Sequence, residues 1–240
     1  MIGAVLANQP KHGLLMMLKH PKGSTLMATI TALKTQKRNP NRINVYLDGA
    51  FAFGLSRLVG AWLTVGQELS DEKILQLKSQ DETEVALQKA LHFLEYRSRT
   101  QQEVSRKLMD LGYEEEVVTD VIERLKKNQL LSDDQFAKRW VENRTALKPR
   151  GHRLMAMELR QKGVDEAEIQ SALSNAPDDE ELAYQAMKHR FHRYAQMSYE
   201  DYQKKASAYL GRKGFSYDVI SPVLRQVWDE FQDEMQSSAS

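Results

Sequence analysis

Between residues 82 and 235 apolar side chains return every three or four positions, the period of helices that bury one face. Val104, Leu108 and Leu111 mark one such face, Val118, Val121, Ile122 and Leu125 the next, and Met155 with Leu159 a third. Further stripes predict a helix ahead of each: Leu87, Ala90, Leu91 and Leu94; Phe136, Ala137, Trp140 and Val141; Tyr184, Met187, Phe191 and Tyr194. The pattern itself repeats. Gly112, Gly163 and Gly214 stand 51 residues apart, each four residues after a leucine (Leu108, Leu159, Leu210) and one before an apolar residue (Tyr113, Val164, Phe215). Val118, Ile169 and Ile220 follow at six residues, and Ile122, Leu173 and Leu224 keep the phase. A period that returns with its side-chain chemistry is an internal repeat.

The unit Leu-x-x-x-Gly-apolar is the expected form of a helix end. If the glycine ends a helix in the left-handed conformation, the apolar residue after it reaches back to the leucine one turn earlier, and only glycine takes positive φ without a steric cost. Each repeat then holds a helix, a glycine turn and a second helix, with an earlier helix in front; about fifty residues suffice for three helices and short loops. Thr100 to Glu103 and Ser132 to Gln135 have the spacing of capping boxes, and Asp178 to Glu181, after Pro177, is a near variant. These signals predict a mainly α chain. It consists of three tandem three-helix repeats, at 82–131, 132–177 and 178–235, that form an elongated curved body, with 236–240 as a tail.

Residues 28–81 read differently, as a small β/α element. Thr29 to Thr35 and Ile43 to Leu47 alternate, and Asp48-Gly49 separates the second run from Ala50-Phe51-Ala52-Phe53. Asp-Gly between two such runs predicts a hairpin, because a type I′ turn needs positive φ at both central residues. Three strands are expected, then a short helix near Ser56 to Ala61 and a capped one near Ser70 to Lys78. Residues 1–27 match neither pattern; they are expected to be disordered, or to precede a true start at Met27. The apolar run Leu14 to Leu18 is too short to span a membrane or to form a signal-peptide core.

Composition adds little beyond a helix-rich globular class with 41% apolar residues. The absence of cysteine excludes disulfides, thiolate metal sites and cysteine nucleophiles, and fits a reducing cytoplasm. Charge is more informative. The total of +1 hides ten Lys and Arg against four Asp and Glu up to Gln80, and 24 against 29 beyond it. From Lys138 to Lys162 there are eight basic residues against Glu142 and Glu158, a cluster suited to a polyanionic partner. On the helix from about Arg150 to Lys162, Met155 and Leu159 mark the core side. Arg153, Met157 and Arg160 fall opposite, with Arg150 near them. The matching positions are Arg99, Gln102, Arg106 and Met109 in the first repeat, and Asp201, Lys204, Ala208 and Gly211 in the third. The plainer reading is a solvated face; the basic helix before it, with Lys138, Arg139 and Arg144, favours a binding face.

Nothing points to an enzyme, a cofactor or a metal. There is no Gly-x-x-x-x-Gly-Lys loop and no nucleophile elbow. His189 and His192 share a helical face without a third ligand, where zinc needs three or four. Helix–Gly turn–helix also describes a DNA-binding helix-turn-helix, so a stand-alone nucleic-acid-binding protein built from such repeats is the alternative. Three copies in phase are more simply a scaffold.

Several segments resemble the RecX family of recombination regulators, which act on the RecA recombinase. Tyr96 to Leu108 (YRSRTQQEVSRKL) is similar to that family's first-repeat motif, and Leu131 to Ala137 (LSDDQFA), followed by Arg144, to its entry to the second repeat. Gly151 to Leu154 with Glu158 to Val164 resembles the second-repeat core, and Tyr209 to Phe215 the third. Asn44 to Gly54 resembles the N-terminal part of some members. The resemblance covers about residues 29–230. It implies a non-enzymatic protein that binds RecA and its filament on single-stranded DNA, touches DNA itself where basic residues reach it, and restrains filament growth, ATP hydrolysis and strand exchange. Arg97, Arg144, Arg150, Arg153, Arg160 and Lys162 are the expected contacts with acidic filament surface or nucleic acid. Arg97, Arg153 and Lys162 also match the family motif, whereas Arg150 rests on the charge face alone.

Overall fold

The computed structural model describes residues 27–237, and the side chains up to residue 233. Most of the N-terminal segment expected to be disordered therefore lies outside the described residues; Met27 opens the first strand and pairs with Ser70. The chain divides into two compact units that meet in sequence at Lys78 and Ser79.

The first unit is an antiparallel sheet. Strands β1 (Met27–Thr35), β2 (Arg42–Leu47), β3 (Ala50–Ser56) and β4 (Glu68–Ser70) lie in the order β3-β2-β1-β4. Asp48 and Gly49 turn the hairpin with φ of 49° and 83°, the two left-handed residues a type I′ turn demands. The fourth strand was not expected. It is three residues long, too short for alternation to register, and it exists through pairing with β1. In place of a helix at Ser56 to Ala61 there is one 3₁₀ turn, Val59–Trp62, whose Gly60 leaves no room for a Cβ beside Ile43. Ile30, Val45, Phe53, Leu55, Leu69 and Leu77 form this unit's core.

The second unit is helical. The capped helix expected near Ser70 to Lys78 and the stripe from Leu87 to Leu94 are one 25-residue helix, α1 (Asp71–Glu95), which belongs to this unit from Ser79 onward. No Gly or Pro interrupts Ser79 to Thr83, so nothing in that polar stretch stops the helix. It is followed by α2 (Gln101–Asp110) and α3 (Glu115–Lys127). The second repeat contains α4 (Asp133–Leu147), α5 (His152–Gln161) and α6 (Glu166–Leu173), and the third α7 (Asp179–Lys188), α8 (Tyr199–Arg212) and α9 (Tyr217–Ser237). The stripe Tyr184 to Tyr194 is not one helix. The chain leaves α7 at Lys188 and re-forms as a 3₁₀ turn, which lets Phe191 stack on Phe231 at 4.0 Å and meet Tyr202 edge-on.

The three glycine turns are alike to the bond. Gly112, Gly163 and Gly214 have φ of 87°, 76° and 91°. The amides of Tyr113, Val164 and Phe215 donate to the carbonyls of Leu108, Leu159 and Leu210 at 3.3, 3.2 and 3.3 Å. The glycine amides donate to Met109, Arg160 and Gly211, completing the Schellman pattern. Thr100 and Glu103 form the reciprocal capping box, and Ser132 and Asp178 accept from the amides of Gln135 and Glu181.

The repeats are joined by a second repeated device. The Thr100 hydroxyl donates to the Lys162 carbonyl at 2.7 Å, and 51 residues on the Gly151 amide donates to the Lys213 carbonyl at 2.9 Å. The Gln101 and His152 amides, at the starts of α2 and α5, each donate to the aspartate that opens the first helix of the next repeat, Asp133 of α4 and Asp179 of α7, at 2.8 Å. Each joint thus pairs an open helix start with groups from the following repeat, supplying partners that helix ends otherwise lack. The joints are unequal in closeness. A Cβ on Gly151 would stand 2.6 Å from the Gly214 carbonyl oxygen, so glycine meets glycine there. Repeats two and three accordingly share one core, from Phe136 to Val227, while the first keeps its own around Val104, Leu108, Val121 and Leu125.

Candidate functional site

The six cationic side chains singled out from the sequence fall into two groups. Arg97 and Lys162 converge on Glu103. Arg97 Nη2 lies 2.8 Å and Nη1 3.2 Å from its two oxygens, and Lys162 Nζ lies 3.3 Å from one of them. Lys162 also stands 5.0 Å from the centre of the Trp140 ring. Burial alone would raise the Glu103 pKa; the bond from Arg97, the Thr100 amide and the Lys162 charge outweigh it and hold the carboxyl at about 2.

Arg144 and Arg150 converge in the same way on Glu158. Arg144 Nε lies 3.1 Å from Oε2, the Trp140 indole donates to that oxygen at 3.0 Å, and Arg150 pairs with Oε1. Arg144 lies over the Trp140 ring at 4.2 Å. Burial, with Arg144 close by, pushes the Arg150 pKa down. These four cations hold helices in place within and between the first two repeats.

Arg153 and Arg160 differ. With Met157, 45% exposed, they occupy the side of α5 opposite the buried Met155 and Leu159. Arg153 is exposed and has no carboxylate partner among the described residues. Arg160 forms a two-pronged bond to Glu166, at 2.8 and 2.9 Å, with both side chains 53% exposed. That bond raises the Arg160 pKa and holds Glu166 at about 2, and about half of each side chain stays open to solvent. Arg212, at the end of α8, completes the face. Arg153, Arg160 and Arg212 line one groove of about 440 Å³ with Met157, Leu154 and the glycine turn at Gly214. Arg212 was missed from sequence, where Gly211 to Gly214 read only as a helix end. The 51-residue period places Arg212 at the position of Gln161, and only the joint between repeats brings it beside Arg153. The equivalent groove at the first joint is lined by Gln102, Arg106, Lys107 and Lys162 together with the carboxylates Glu103 and Asp110, so its charge is mixed, whereas no carboxylate lines the second.

A cavity of about 620 Å³ lies at the first joint, lined by Asp133, Asp165 and Glu168 with Lys126. Burial, then Asp165, pushes the Asp133 carboxyl up against the pull of the Gln101 amide, and burial with Asp133 raises Glu168. Among the described residues no three His, Cys, Asp or Glu side chains converge as a metal would need, and no helix is long and apolar enough to cross a membrane.

Four family models match in order along the chain: the regulatory protein RecX N-terminal domain at 28–70, and the first, second and third RecX three-helix domains at 86–125, 132–173 and 178–224. Regulatory protein RecX of Bacillus subtilis (strain 168) is 33% identical over 218 residues, covering 89% of this chain and 82% of its own. That of Oceanobacillus iheyensis is 35% identical over 212 residues, covering 84% and 77%. A crystal structure of regulatory protein RecX superposes with a TM-score of 0.69 at 30% identity, over 82% of this chain and 98% of that one. RecX from Lactobacillus salivarius gives 0.56 at 28% identity, over 61% and 97%. With the glycine turns, the joints and all of the sheet but Met27 inside the matched residues, the chain belongs to the RecX family of regulatory proteins.

Proposed function

We propose that this protein is a non-enzymatic, cytoplasmic regulator that binds the RecA recombinase and its filament on DNA and restrains filament growth, ATP hydrolysis and strand exchange. The in-order match of all four RecX models carries this reading. The groove of Arg153, Arg160 and Arg212 supports an acidic partner, either filament surface or bound strand: three arginines line it with no carboxylate among its lining residues, and Met157 beside them covers apolar surface. Arg97, Arg144, Arg150 and Lys162 serve the same contact indirectly, since their carboxylate pairs hold α2, α4 and α5 in place.

The test is RecA ATPase on single-stranded DNA with increasing amounts of wild type and of the triple change Arg153→Glu, Arg160→Glu, Arg212→Glu. The variant should keep its helical circular dichroism and lose about tenfold or more in inhibitory potency. If phosphates take part, binding should weaken with salt, and the slope should fall by about one for each phosphate the variant no longer neutralises. Unchanged inhibition would remove this groove from the mechanism. A wild type without effect on RecA, but with tight sequence-specific binding to duplex DNA, would replace the proposal with the stand-alone nucleic-acid-binding reading.

A further inference from the structure

The sheet of the first unit has two unlike faces. Leu33, Val45, Phe53 and Leu55 point into the core. The residues between them share the other face, placed in rungs by the strand register: Ala32 beside Tyr46 beside Phe51, and Lys34 beside Asn44 beside Gly54. On this face the rings of Tyr46 and Phe51 meet edge-on with centroids 5.9 Å apart. Phe51 is 59% exposed although it sits within a strand. The Lys34 ammonium stands 4.9 Å from the centre of the Tyr46 ring. The Gln36 and Asn44 amides are bonded at 2.7 Å next to Gly54, and Arg42 reaches the Gly54 carbonyl at 3.1 Å.

We propose that this face binds single-stranded nucleic acid, with bases stacked on Phe51 and Tyr46 and phosphates held by Lys34 and its cationic neighbours. Each part matches a need of that ligand. An unpaired base has a π-face that a duplex conceals, and an exposed ring in a rigid strand offers it a stacking partner without sequence preference. Charge selects the same partner. Residues 28–66 carry Lys34, Lys37, Arg38, Arg42 and Arg57 against Asp48 alone, and an Asp48 carboxylate oxygen already accepts from the Thr29 amide at 3.0 Å. The side-chain amides have donors and acceptors for base edges. This site is separate in sequence from the arginine groove and needs no recombinase.

The experiment is fluorescence anisotropy of a labelled twenty-nucleotide oligodeoxythymidylate with the full chain at low salt, RecA being absent. Wild type should bind it more tightly than a duplex of equal length. Phe51→Ala should bind about tenfold more weakly, which is about 1.4 kcal/mol and within the range for one base stacked on one ring. Phe51→Trp should retain binding, and Lys34→Gln should lower the salt slope by about one. Circular dichroism should be unchanged in each, because Phe51 is outside the core. The proposal is overturned if wild type does not bind, or if Phe51→Ala and Lys34→Gln bind like wild type. It is equally overturned if Phe51→Ala weakens inhibition of RecA while leaving oligonucleotide affinity intact, since the face would then dock a protein.

Discussion

Alanine at Gly112, Gly163 and Gly214, one position at a time, should destabilise the protein by three different amounts. All three glycines hold left-handed φ in the same hydrogen-bonded turn. That conformation costs a residue with a Cβ about 1–2 kcal/mol, of which alanine regains some tenths by restricting the unfolded chain. For Gly112 this is the whole effect, about 1 kcal/mol, because nothing lies within 4 Å of the new Cβ. At Gly163 the Cβ would also stand 2.6 Å from the Gln102 Cβ, and the end of that side chain can swing away while its root cannot. Overpacking of this kind adds about 1–3 kcal/mol, for a total of about 2–3 kcal/mol. At Gly214 the obstacle includes main chain: the Cβ would overlap the Leu154 Cβ and stand 3.1 Å from its backbone nitrogen. Relief there requires α5 to shift against the third repeat, and a loss of about 3–4 kcal/mol is expected. Urea unfolding followed by far-ultraviolet circular dichroism measures the series, with an unchanged slope showing that the midpoint shifts report stability. Three equal losses, or a loss at Gly112 as large as that at Gly214, would refute the claim that the later two turns are joints between repeats.

Two further changes test the carboxylates at the centre of the ion pairs. Glu103 is held at about 2 against an ordinary 4.5, so its stabilisation is fully present above pH 4.5 and is lost as pH falls toward 2. With allowance for its partial exposure, Glu103→Gln should cost about 1–2 kcal/mol at pH 7, and the difference from wild type in urea should close by pH 2; a gap that persists there would show that charge is not its source. Glu158→Ala leaves the Trp140 indole, Arg144 and Arg150 without their shared acceptor and should cost about 2 kcal/mol. Glu158→Gln can still accept from the indole and should cost less, so equal urea midpoints for the two variants would refute the indole bond.

Where the structure agrees with the expectations, local chemistry sufficed. The capping box at Thr100, the type I′ turn at Asp48-Gly49 and the glycine helix ends are each completed within a few residues of chain, by groups of fixed type. Where it differs, distant residues decide. Strand β4 depends on β1, and Phe191 leaves the helical path to reach Phe231. Gln129 closes α3 with φ of 57° in the same bond pattern as the glycines, without a glycine to announce it. The candidate site was legible in part. Helical periodicity put Arg153, Met157 and Arg160 on one exposed face, whereas periodicity carries no information on which cations find carboxylates across a joint. Glu103 and Glu158, which engage four of the six candidate cations, read in sequence as ordinary helix charges.

The sequence by itself determined the repeat, its helix ends and the hairpin, because each rests on backbone geometry that only a few residue types allow and on neighbours close in the chain. The tertiary structure decided which of three equivalent glycines are joints, that the second and third repeats fuse their cores, and that Arg212 meets Arg153 and Arg160 in one groove. Those outcomes depend on how closely two helices approach across a joint, a distance set by side chains about fifty or more residues apart that no local period records.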